Sequence, residues 1–180
     1  MSYAMDGPQW FALRTRSRHE KAAAATLDTL GVRNYLPLRS EVRQWSDRKQ
    51  AVSVPLFCGY LFVFLNPGRD STLHMLRTPG VVGLVGNQIG PLAIPEQQIE
   101  NIRIVLATGV GCYVQPTFEV GDRVRVTRGA LVGVEGTLVR TKSGSHLLVS
   151  IEMIRQSIAV SVSPYDVELV SERLASASYN

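Results

Sequence analysis

The chain of 180 residues is 45% hydrophobic and 19% charged, which suits a packed protein and excludes wholesale disorder. No apolar run reaches the roughly 18 residues needed to span a bilayer, and residues 1–8 lack the basic start and apolar stretch of a secretory signal, so the cytoplasm is the expected location and no membrane association is expected. The net charge of +4 is uneven: between Trp10 and Gly109 twelve Lys/Arg stand against seven Asp/Glu, a difference of +5, whereas from Glu119 to Val170 six stand against six, so only the first part has an electrostatic reason to approach a polyanion.

In chain order, Trp10 to Arg14 reads as a strand. Ser17-Arg18-His19-Glu20 reads as a capping box, Ser17 accepting an exposed amide of the first turn and Glu20 reaching back to the Ser17 amide. Ala23, Leu27 and Leu30 follow at helical spacing, and Gly31 supplies a left-handed stop. Two extended stretches come next, residues 34–42 and 52–65, separated by the polar turn at residues 45–49. The apolar density of residues 56–65 predicts a central strand covered on part of both faces. Asp70, Ser71 and Thr72 offer N-caps to a short helix ending near Arg77. A strand over residues 81–85 follows, then a helix with Pro95 in its first turn, Ile99, Ile102 and Leu106 on one face, and Gly109 and Gly111 at its end. The first six elements, strand, helix, strand, strand, helix, strand, match the split β-α-β arrangement of ferredoxin-like domains.

Beyond Gly109 the character changes. Residues 110–118 lack periodicity and read as a linker between a first domain (8–109) and a second (119–170), with a tail over 171–180. Short strands are predicted at residues 124–126, 134–139, 147–151, 158–162 and 167–170, separated by turns. Five short strands in about fifty residues suggest a small β-barrel. The fold class is therefore α+β.

Enzyme chemistry finds little support. His19, His74 and His146 stand far apart, without a nucleophile or metal-ligand pattern. Cys58 and Cys112 form no CxxC pair, and no GxxxxGK[ST] phosphate loop is present. No cofactor, metal or catalytic residue is expected.

In the second domain, residues 121–126 and then Gly129-Ala130-Leu131-Val132-Gly133-Val134-Glu135-Gly136 form a strand, a glycine turn and a second strand. This resembles the KOW motif of NusG proteins and certain ribosomal proteins, with Ala130 where many members have proline. In the first domain, Trp10-Phe11-Ala12-Leu13, Ser17-x-x-Glu20, the run from Pro55 to Val63 and Thr78-Pro79-Gly80-Val81-Val82 resemble, in order, the NusG N-terminal (NGN) domain, with Cys58 in place of the usual proline before glycine. Residues 16–21, 35–38 and 43–49 look most like the UpxY-type specialised paralogues, which resemble antiterminators of long polysaccharide operons.

The resemblance implies a monomeric transcription elongation and antitermination factor whose partner is RNA polymerase. An apolar patch at Phe57, Tyr60, Phe62, Val81 and Leu84 would pack on the coiled coil of the polymerase clamp. Strand alternation sets Tyr60 and Phe62 on one face and Phe57 on the other, so core packing is the competing role for part of this set. Ser71 and Thr72, which also serve as helix caps, would touch a loop of the opposite jaw. Arg14, Arg16, Arg18 and Arg77 would face the non-template DNA strand, or form an ordinary solvated face. The KOW domain would engage Rho or a small ribosomal subunit protein, with Leu131, Val134, Met153 and Ile154 as candidates, although most such residues in a small barrel are core and core packing is the favoured role. Two alternatives are a housekeeping NusG-like factor and a ribosome-associated RNA-binding protein. The latter calls for a basic barrel, which the even charge count does not supply.

Overall fold

The computed structural model describes residues 7–44, 49–67, 72–116, 121–141 and 144–170. The first half runs β1 (Gln9–Thr15), α1 (Glu20–Thr29), β2 (Asn34–Tyr35), β3 (Leu38–Gln44), β4 (Lys49–Pro55), β5 (Tyr60–Leu65), α2 (Thr72–Leu76), β6 (Val81–Leu84), β7 (Gly86–Asn87), β8 (Gly90–Pro91), β9 (Ala93–Ile94) and α3 (Glu96–Thr108). The second half is β10 (Cys112–Pro116), β11 (Asp122–Val126), β12 (Glu135–Thr141), β13 (Gly144–Ile151), β14 (Gln156–Ser161) and β15 (Val167–Leu169).

The main sheet of the first half is antiparallel, in the order β2-β5-β1-β6, with β9 also pairing β1. Counted first to fourth along the chain, its main strands lie 2-3-1-4, the ferredoxin-like order expected from the sequence. Residues opposite one another in a pair share a face. Trp10↔Phe64 and Ala12↔Phe62 therefore point to one side, and Phe11↔Val63 and Leu13↔Leu61 to the other. The second side packs on Ala23 and Leu27 of α1 and Met75 of α2. The first side is aromatic and lies in one cluster with Ile99, Ile102 and Val105 of α3.

Several local expectations are modified. The capping box does not form: His19 occupies the N-cap of α1 without a side-chain bond, and Glu20 instead accepts the Gly59 amide. The strand expected through residues 52–65 breaks at residues 56–59, because Gly59 takes a left-handed φ of +80° that ends extended pairing. As a result β4 pairs with β3 in a separate two-stranded arm, and only β5 sits inside the main sheet. The stretch over residues 34–42 is likewise divided, since Pro37 carries no N–H for a ladder and its carbonyl accepts from the Leu56 amide at 2.8 Å. The last helix starts after Pro95 and ends on Gly109 at φ +66°, whose N–H returns to the Leu106 carbonyl.

The second half is a six-stranded antiparallel sheet, β10-β14-β13-β12-β11-β15. The five strands read from the sequence are present. The sixth, β10, comes from the segment read as a linker, and it pairs along its length with β14 from Cys112↔Val160 to Pro116↔Gln156. Cys112 and Val114 are half-buried while Tyr113 between them is exposed, an alternation too short to stand out in the sequence.

The two halves touch. Asn101 of α3, only 4% exposed, uses its amide as a two-point clip on the main chain of Glu135. Its Nδ2 donates to the Glu135 carbonyl at 3.0 Å, and its Oδ1 accepts the Glu135 amide at 3.3 Å. Gln97 Nε2 donates to the same Oδ1 at 2.9 Å, and the Glu152 amide donates to Gln98 Oε1 at 3.3 Å. The apolar cluster under α3 continues into Val124, Leu147, Val149 and Ile158 of the second sheet. Among the described residues, no helix is long and apolar enough to cross a membrane.

Replacing Asn101 by Ala removes both bonds to Glu135 and should lower stability by about 1–2 kcal/mol, read as a lower urea midpoint. An unchanged midpoint would mean that the clip contributes nothing to holding the halves together.

Candidate functional site

The turn between β4 and β5 organises the aromatic residues singled out from the sequence. The Tyr60 amide donates to the Phe57 carbonyl at 3.2 Å, and the Gly59 carbonyl accepts from the Thr15 amide at 2.8 Å. This turn resets the side-chain alternation. Phe57 therefore lies on the same side as Phe62, edge-on to it at a centroid distance of 6.2 Å, and not on the opposite face as simple alternation predicts. Phe57 and Phe62 are buried, and Tyr60 is half-buried at the margin of their cluster.

Val81 and Leu84 belong elsewhere. Leu84 pairs with Leu13 and shares its face, so both β6 residues pack on the α1 and α2 side. The five apolar residues thus divide into an aromatic group of three and an aliphatic pair across the sheet. Of the polar pair, Thr72 is the first residue of α2 and half-buried, and Ser71 lies outside the described residues.

The four arginines lie on two neighbouring segments, β1 with the stretch that follows it and the turn after α2. Arg14 stands directly across from Tyr60 on the neighbouring strand. The Arg16 amide donates to the Gly80 carbonyl at 2.7 Å, which fixes the segment after β1 against the turn that follows Arg77. His19 packs on Gly80 so closely that a Cβ added there would lie 2.5 Å from the His19 Cβ, which accounts for glycine at this φ of +87°. Arg18 takes a left-handed φ of +65° to turn the chain into α1, a conformation that costs about 1 kcal/mol or more for a non-glycine residue. All four arginines are exposed, and none forms an ion pair with a described residue. Arg14 thus stands beside Tyr60, while Arg16, Arg18 and Arg77 lie on the two backbone segments that the Arg16–Gly80 bond joins.

Behind the aromatic group lies an arrangement that pattern reading missed. Arg33 covers Phe64 at 4.4 Å and Trp10 at 5.4 Å, and Arg103 covers Trp10 at 5.1 Å and Tyr35 at 4.8 Å. Tyr35 in turn stacks on Phe62 at 6.4 Å. Guanidinium groups over aromatic faces satisfy the π-systems while leaving the charge near water. Because the partners come from β1, β2, β5 and α3, no local sequence signal could have announced them.

In the second half, Leu131, Val134 and Ile154 are buried and Met153 is half-buried against the cluster. The loop between β11 and β12 turns inwards at Gly129 and Gly133, both at positive φ, and carries Leu131 and Val134 into the core. The exposed large apolar side chains among the described residues here are instead Tyr113, Val132, Tyr165 (89% exposed) and Leu169. Among the described residues no group of three or more His, Cys, Asp or Glu could hold a metal ion.

Residues 8–103 match the family model described as NusG, transcription termination factor nusG. The transcription termination/antitermination protein NusG of Thermus thermophilus is 28% identical over 149 residues, covering 72% of this chain and 80% of its own. The protein of the same name from Chlamydia pneumoniae is 24% identical over 140 residues, covering 72% and 76%. The solved structure "Domain interaction in Thermotoga maritima NusG" matches at a TM-score of 0.53 and 22% identity, covering 91% of this chain and 98% of that one, a likeness of fold.

Burial pushes the Tyr35 phenol up to about 12, against an opposing pull from the Arg103 guanidinium. The folded chain then keeps this proton above pH 10, where the unfolded chain releases it. The stability it contributes is intact below pH 10 and is lost as the pH climbs towards 12. Absorbance titration should show one phenol ionising late, and Tyr35→Phe should flatten the loss of stability across that window. A late phenol that persists in Tyr35→Phe would refute the assignment.

Proposed function

The chain belongs to the NusG family, and from that premise we propose that it is a transcription elongation and antitermination factor that acts by binding RNA polymerase, not by catalysis. The observation that carries this reading is the half-buried Tyr60, set across from the exposed Arg14 at the margin of an aromatic cluster, with the exposed Arg16, Arg18 and Arg77 on the segments that adjoin β1. An aromatic anchor beside a cation suits a protein contact placed next to nucleic acid.

Tyr60 seats on the coiled coil of the polymerase clamp, with Phe57 and Phe62 stiffening it from below. Val81 and Leu84 extend the contact around the β6 edge. Ser71 and Thr72 meet a loop of the opposite jaw. A factor that holds both sides of the clamp favours the closed, transcribing state over paused ones, because it binds that state better. The four arginines follow the non-template strand, and their lack of carboxylate partners among the described residues leaves their charge available to phosphates. The second half engages Rho or a small ribosomal subunit protein, and the exposed Val132, Tyr165 and Leu169 suit that contact better than the buried Leu131, Val134 and Ile154. The likeness of residues 16–21, 35–38 and 43–49 to specialised paralogues supports a role in a polysaccharide-type operon. A leader-dependent effect in vitro, absent on unrelated templates, would separate that role from a housekeeping one.

The choice of probe follows from burial. Truncating Phe57 or Phe62 to Ala costs roughly 3–5 kcal/mol of stability, enough to confound a binding assay, whereas Tyr60 is half outside. Tyr60→Ala should fold normally, lose about 2 kcal/mol or more of polymerase affinity and no longer suppress pausing. Normal binding and elongation by this variant would sink the clamp assignment. Replacing Arg14 and Arg77 by Ala should weaken crosslinking to the non-template strand and lower the salt dependence of binding by roughly one unit per lost phosphate contact. An unaltered salt slope would remove these residues from the DNA path.

A further inference from the structure

The pattern Ser17-x-x-Glu20 suggests a helix cap, yet its glutamate does other work. Glu20 is 3% exposed, and a carboxylate is seldom that buried without a specific partner. Its partner lies 39 residues away: Oε1 accepts the Gly59 amide at 2.6 Å, a charge-assisted bond of the stronger kind. The Gly59 carbonyl is tied to the Thr15 amide at 2.8 Å. Both polar groups of this one glycine are thus held, from α1 on one side and β1 on the other. The adjacent Lys21 donates Nζ to the Ser53 carbonyl at 2.6 Å, fastening β4 to the same turn of α1 just ahead of the bend.

We propose that Glu20 is a positioning residue for polymerase binding: its carboxylate locks the Phe57–Tyr60 turn so that Phe57 points into the aromatic cluster and Tyr60 is offered at its margin. The proposal rests on the reading of Tyr60 given above. Without the carboxylate, the turn is held at Gly59 by the Thr15 bond alone, and because a glycine at positive φ has no side chain to restrict it, the turn samples more conformations and Tyr60 is presented less rigidly. Rigid presentation of an anchor raises affinity by removing the cost of ordering it on binding.

The test compares full-length wild type, Glu20→Ala, Glu20→Gln and Tyr60→Ala, each kept well below its unfolding temperature. Affinity for RNA polymerase is measured together with hydrogen exchange of the Gly59 amide. Glu20→Ala should release the Gly59 amide and weaken binding about tenfold or more. Glu20→Gln, which keeps an acceptor, should lose no more than about threefold. A purely structural role for Glu20 would lower the unfolding temperature but leave the affinity of the folded protein unchanged, and that result overturns the proposal, as does a Gly59 amide that stays protected in Glu20→Ala. Should Glu20→Ala not fold, Glu20→Gln carries the test: faster Gly59 exchange with proportionally weaker binding supports the proposal, and faster exchange with wild-type binding overturns it. Tyr60→Ala separates the two levels. If it alone fails to bind while Glu20→Ala binds normally, the polymerase reading stands and only the assignment of Glu20 falls. If Tyr60→Ala also binds normally, both fall.

Discussion

The pairing of β1 with β5 governs the first half of the molecule. Six residue pairs, from Gln9↔Leu65 to Arg14↔Tyr60, sort every side chain of the two central strands onto an aliphatic or an aromatic face. The aliphatic face is closed by α1 and α2 and behaves as an ordinary core. The aromatic face is closed by α3, and it reaches the surface at Tyr60 beside Arg14 and, beneath Arg33 and Arg103, at Phe64 and Tyr35. A slip of one residue would exchange the two faces, burying the charge of Arg14 and stripping α3 of its partners. The register therefore also sets Tyr60 opposite Arg14, the placement on which the proposed polymerase contact rests.

Around that register the exposed charges are arranged by backbone bonds, not by ion pairs. The Arg16 amide is held at Gly80 and the Arg77 amide by the Leu73 carbonyl, so their side chains are placed without being neutralised. This differs from the second half, where Glu135 binds both Arg123 and Arg125. Elsewhere in the first half Arg39 pairs with Glu41 and Arg103 with Glu100, so the absence of ion pairs among the described residues is particular to Arg14, Arg16, Arg18 and Arg77.

How much was legible follows from the range of each signal. The helix from Glu20 to Thr29 and the strand at Gln9–Thr15 depend on spacing within one element, and the sequence carried both. So did the succession of short strands in the second half. The role of Glu20 was not legible, because its partner is far along the chain and a capping box was the nearest local explanation. The side taken by Phe57 depended on a turn whose break in alternation only the backbone reveals. Leu131 and Val134 stand in a loop and so are candidates for an exposed patch, but core packing is the favoured role, and two glycines fold that loop inwards to bury them. A strand as short as β10, five residues, is too brief to stand out from a connector, and its identity as a strand comes from pairing with β14.

The inclusion of β10 in the second sheet shortens the leash between the halves. With α3 ending at Thr108 and β10 beginning at Cys112, three residues remain to bridge them, and even fully stretched they and their flanking bonds reach only about 10–14 Å. Were the Asn101 clip, the Gln98–Glu152 bond and the apolar cluster under α3 all to part, the second half would pivot near the C-terminal end of α3 without drifting away. Whatever it then captured would be delivered to the immediate neighbourhood of the first half's own partner, at an effective concentration that a short tether keeps high. Two modest affinities joined in this way act as one.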